Sequence, residues 1–153
     1  MDNSISGVSF GAHLSLKNES LDKHVSREMA NKFAKATKSI QGTMTVSKDN
    51  MGGLDVVLNK CNAKALCIGG EAFYSMNEKE KVSWLIRVAR YMNEEIKFAK
   101  LERIRTASKR EIEAHIKRLD KIAGDDGNLH DINNFIKGNL LEQLSEKMLK
   151  NVK

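Results

Sequence analysis

The chain of 153 residues has no proline. Every turn must therefore be made by Gly, Asn, Asp and Ser, and no helix meets its strongest internal breaker. Cysteine is nearly as scarce, with Cys61 and Cys67 the only two. That excludes a disulfide-dense scaffold and points to small buried thiols in a reducing, cytoplasmic setting. Aromatic residues make up 5% of the chain, which leaves few platforms for stacking on single strands. No apolar run approaches the ~20 residues of a membrane span. No charged segment followed by an apolar core opens the chain, so no secretory signal is expected.

Sites of chemistry are missing as well. His13, His24, His115 and His130 are scattered, without the paired spacing of metal ligands. "DDGNLHD" lacks the alternating oxygen donors and the closing Glu of a calcium loop. "IGGE" and "NMGG" are too short to cradle a phosphate. Cys67 stands in apolar "ALCIGG", where a thiol is inert, and Cys61 has no base whose proximity can be argued. No cofactor, no metal and no catalytic residue is expected.

What remains is a balanced composition, 41% hydrophobic and 30% charged. That is ordinary for a folded domain, and the length suits a single domain over residues 1–153. Its first half, 1–74, reads as sheet plus helix, and its second, 75–153, as helical. "GVSFGAHLSL" alternates apolar and polar residues and predicts a strand. Leu21, Val25, Met29, Phe33 and Ala36 then recur every three or four residues, which predicts a helix capped by Ser20 and stopped by Gly42. "TMTVS", "LDVVLNKC" and "ALCIGGEAF" return to period two with short turns between, an antiparallel meander.

The second half changes period. "SMNE" predicts a capping box from Ser75 to Glu78, followed by a stripe of Val82, Leu85, Ala89, Met92, Ile96 and Ala99. That seam stops at Arg103, and "SKRE" predicts a new start at Ser108 with Glu111. Ile112, Ile116, Leu119 and Ala123 form the next stripe. The last, Leu129, Ile132, Ile136, Leu141, Leu144 and Met148, is expected to face inward, with Gly138–Asn139 splitting its helix and Asp126 or Asn128 capping it. The predicted fold is α+β: a four-stranded, mainly antiparallel sheet in the order β-α-β-β-β, followed by three or four helices.

The functional signal is charge. Lys97–Lys121 holds nine Lys/Arg against four Asp/Glu, +5 of the formal +6 of the chain. On a helix beginning near Lys109, Arg110, Lys117 and Lys121 point away from the apolar stripe, with Arg118 beside them. Glu113 lies four residues before Lys117 and is expected to neutralise it in part. Arg103 and Arg105 extend the ridge. Such a surface suits an acidic protein or nucleic acid; the plain alternative is a solvated helix face. The leading expectation is a non-enzymatic accessory or inhibitor-type protein that binds a macromolecule through Arg103, Arg105, Arg110, Lys117, Arg118 and Lys121. Nucleic-acid binding by the same ridge and a thiol enzyme are the alternatives. The apolar C-terminal stripes also allow a second copy of the chain as partner. A membrane partner is not expected.

Overall fold

The computed structural model describes residues 12–48, 53–58, 66–69, 73–104, 107–124 and 127–150, without side chains at 66–69, 101–104, 127–128 and 150. The chain divides into two compact units, Met1–Asn93 and Glu94–Lys153, and the boundary falls inside a helix.

The first unit opens with strand β1 (His13–Leu16). A 3-10 turn, Glu19–Lys23, leads to helix α1 (Arg27–Ala36). The helix begins at Ser26, not Ser20: the Ser26 hydroxyl accepts the Met29 N–H at 3.2 Å, and the Ser26 N–H reaches the Met29 sulfur at 3.4 Å. Asn18 Oδ1 accepts the Lys48 N–H at 2.9 Å, and that long-range bond pins the turn that displaces the helix start. Thr37 ends α1. Its hydroxyl donates to the Phe33 carbonyl at 2.8 Å and accepts the Ala12 N–H at 3.1 Å. Leu21, Val25, Met29 and Phe33 are buried as the stripe requires, whereas Ala36 is exposed and Ile40 takes the next inward place.

Strands β2 (Thr43–Lys48), β3 (Gly53–Leu58) and β4 (Leu66–Gly69) complete a sheet in the order β1-β2-β3-β4. The β2/β3 and β3/β4 pairs are antiparallel, with Val46 opposite Val56 and Asp55 opposite Cys67. The β1/β2 pair is parallel, His13 opposite Thr43, because α1 carries the chain back between them. Side chains are described on β1, β2 and β3; β4 joins through its backbone pairing. Met44, Val46, Leu54, Val56 and Leu58 are buried on one face, the period-two pattern expected of a half-covered sheet.

Helix α2 (Glu78–Ile104) follows. Its capping box is Asn77–Glu80, two residues beyond the one expected: Asn77 Oδ1 accepts the Glu80 N–H at 2.8 Å, and Glu80 Oε1 accepts the Asn77 N–H at 3.0 Å. Within the first unit it buries Trp84, Leu85, Val88, Ala89, Tyr91 and Met92. Each large apolar side chain removed from water contributes about 1.5–3 kcal/mol before entropy is counted.

The second unit holds the end of α2, then α3 (Lys109–Ala123) and α4 (Gly127–Lys150), and the last two pack together. Ser108 caps α3 as expected, its hydroxyl accepting the Glu111 N–H at 3.2 Å. Gly124, at φ 52°, ends it in a conformation glycine adopts without steric cost. Ile112, Ile116, Leu119 and Ala123 are buried as expected. Three departures concern other positions. Ala99 is exposed and Phe98 buried in its place. Helix α4 is continuous through Gly138–Asn139. Leu141 and Met148, expected inward, are 46% and 49% exposed, and Leu140 is buried instead. Asp126 lies outside the described residues, as does the Asn128 side chain. The α+β class holds, with three described helices after the sheet.

Candidate functional site

Helix α3 presents two faces of opposite character. Its apolar stripe is buried, which fixes the rotation of the helix and turns Arg110, Lys117 and Lys121 outward; all three are exposed. At 100° and 1.5 Å per residue they fall within about 20° of one line and span roughly 16 Å. None of the three has a hydrogen bond or ion pair among the described residues.

The neighbouring charges are arranged differently from the sequence expectation. Glu113 pairs with Lys109, Nζ to Oε1 4.0 Å, one turn back, and not with Lys117. Arg118 leaves the ridge: its Nε–H donates to Glu94 Oε2 at 3.1 Å, and Glu94 also meets Lys97 at 3.8 Å. The Arg103 side chain and Arg105 lie outside the described residues. The ridge visible on α3 is therefore three cations long, with Lys109 and Arg118 engaged on its flanks.

Sequence reasoning missed the polar group beneath this face. His115 is fully buried among the apolar residues of α3. Its ring stacks on Phe98, centroids 4.3 Å apart and planes 3° from parallel, and Nε2 lies 2.7 Å from Glu95 Oε1. With Nε2–H donating to that carboxylate, Nδ1 is left buried with no partner among the described residues. The signal was available: His115 stands three residues after Ile112 and four before Leu119, so helical spacing alone puts it on the apolar side. Asp120 is the other joint. It accepts the Asn133 Nδ2–H at 2.7 Å and lies 3.0 Å from Lys137 Nζ, tying α3 to α4.

No group of three or more potential metal ligands occurs among the described residues. His13 and His24 belong to the first unit and His115 and His130 to the second. Cys61 lies outside the described residues, and Cys67 is described only as backbone of β4. Among the described residues no helix is long and apolar enough to cross a membrane. No protein-family model matches the chain, and no curated protein or solved structure is significantly similar to it.

Proposed function

We propose that this protein is a non-enzymatic binding module that captures an acidic protein surface through the outer face of α3, in a cytoplasmic setting. One observation carries the proposal: Arg110, Lys117 and Lys121 stand in a line on the exposed face of a helix whose other face is buried, with no ion-pair partner among the described residues. Nearby cations, Lys109 and Arg118, do find carboxylates. Three like charges held along one line by a rigid helix repel one another weakly in water and gain when a complementary acidic surface approaches. No aromatic residue lies between Arg110 and Lys121, so base stacking adds nothing to this ridge, and an acidic protein is the better match. Arg103 and Arg105 extend the proposed contact, and Arg118 contributes once released from Glu94.

The test is the double change Arg110→Glu with Lys117→Glu. Both residues are exposed and unpaired, so stability is expected to stay within about 0.5 kcal/mol of the parent. Binding to immobilised polyglutamate is expected to fall about tenfold at low salt, with a smaller difference at high salt. Equal binding by parent and variant overturns the proposal. A steep linear fall of log affinity for duplex DNA with log salt, abolished by the same changes, would move it to nucleic acid. Sedimentation of the two proteins over a concentration series reads out whether the partner is a second copy of the chain.

A further inference from the structure

The first unit has a separate concentration of positive charge, and it is more deeply set than the ridge. Lys81, on the first turns of α2, is 8% exposed. Its ammonium donates to the His24 carbonyl at 3.1 Å and lies 5.6 Å from the centre of the Phe73 ring. An ammonium has three donors, and this one has no carboxylate partner among the described residues. A buried cation without a counter-charge is costly, because burial removes hydration that a single carbonyl does not replace. Lys48, the last residue of β2, places its ammonium 5.7 Å from the centre of the Tyr74 ring. Tyr74 in turn stacks on His24, centroids 4.0 Å apart. The Tyr74 hydroxyl and the Trp84 ring N–H are buried without a partner among the described residues. Four elements thus converge: the 3-10 turn, the end of β2, the segment before α2, and α2 itself.

The geometry points to a second binding site, for a phosphate-type oxyanion, where Lys48 and Lys81 flank the stacked His24–Tyr74 pair, with Lys23 the residue before His24. An oxyanion supplies the missing counter-charge and accepts the unused Lys81 donors. The state of His24 agrees with this. Burial, and then the charges of Lys81, Lys48 and Lys23, hold its pKa below the ordinary 6.5. An imidazole surrounded by cations gains a proton more easily once an anion joins them. This site lies wholly within Met1–Asn93, so it stands or falls separately from the α3 ridge.

The experiment is a titration of the full chain with sodium phosphate, against sodium chloride at equal ionic strength. Thermal unfolding and the His24 imidazole resonances are followed. Phosphate is expected to raise both the Tm and the His24 titration midpoint, and chloride to raise neither. Lys81→Met removes a buried group and can disturb folding, so Lys48→Gln, at an exposed residue, is the deciding variant. Loss of one charged contact is expected to weaken apparent phosphate affinity about tenfold. A phosphate effect matched by chloride, or unchanged in Lys48→Gln, overturns the inference. So does a phosphate effect that disappears in the Arg110→Glu, Lys117→Glu variant, because it then belongs to α3. A nucleoside monophosphate run in parallel separates the sources. Tighter binding than inorganic phosphate assigns the site to the phosphate group of a larger ligand, and equal or weaker binding assigns it to the free anion.

Discussion

His24 shows how much a single residue depends on neighbours distant in sequence. Its folded pKa lies below 6.5, through burial and then through Lys81, Lys48 and Lys23. Between that lowered value and 6.5 the unfolded chain binds the proton and the folded chain does not, so stability falls as pH falls through this window. Replacing His24 by Phe keeps a ring against Tyr74 and is expected to flatten the loss of stability between pH 7 and 5, measured by urea denaturation. Asp120 loses stability in the same direction, toward acid, but from a different balance of causes. Desolvation works to raise its pKa, but the hydrogen bonds from Asn133 and Lys137, with the charge of Lys137, outweigh it and hold the value below 3.8. Its contribution is therefore present above the ordinary carboxylate value and is lost as pH falls through the lowered one. Asp120 and Lys137 side chains are 41% and 35% exposed, so water screens the pair. Asp120→Asn is expected to cost only about 0.5–1 kcal/mol at pH 7 and nothing further in acid. An equal acid slope in parent and variant would contradict this.

Among the elements, the two hydroxyl caps show when local pattern suffices. Ser108 was legible as the cap because an N-cap is a local feature: its hydroxyl accepts the Glu111 N–H and donates to the Glu111 carboxylate. Ser20 is the cap expected from the local pattern, yet the 3-10 turn held to β2 through Asn18 takes Ser20 out of the helix and Ser26 caps it instead. Ser26→Ala is expected to cost about 1 kcal/mol, as the loss of an N-cap does, and Ser20→Ala close to nothing. Helix α4 departs from its stripe for a reason of length. Its 24 residues span about 36 Å against about 22 Å for the 15 residues of α3. Roughly two and a half turns of α4, from about residue 142 on, therefore extend past what α3 can cover, and Met148 and Leu149 there are exposed. Gly138, inside α4, has open space where a Cβ would stand. Gly138→Ala is expected to raise stability by about 0.5–1 kcal/mol, since it removes backbone freedom from the unfolded chain without a clash. Thermal unfolding of the single variant checks this, and a lowered Tm would count against a continuous helix there.

At the scale of the whole molecule, two concentrations of positive charge among the described residues are presented very differently by the sequence. The α3 ridge is contiguous in sequence and was legible as +5 within Lys97–Lys121. The cluster around His24 draws on Lys23, Lys48, Phe73, Tyr74 and Lys81, and no window of the sequence contains it. The double reversal at Arg110 and Lys117 lowers the formal charge from +6 by four, to +2, and is expected to leave the phosphate response of the first unit unchanged. Lys48→Gln is expected to leave polyglutamate capture unchanged in return. Failure of both would mean that net charge, and not placement, governs binding.

The α+β class, the strand periods, the core stripe of α3 and the outward face of Arg110, Lys117 and Lys121 followed from spacing alone. Backbone periodicity decides which side chains share a face before any tertiary contact forms. Tertiary structure alone decided that β1 runs parallel to β2, that Arg118 is held by Glu94, that His115 lies buried on Phe98, and that Lys81 and Lys48 meet the His24–Tyr74 pair. Each of these joins residues from different elements, and spacing along one segment carries no information about which other segment will pack against it.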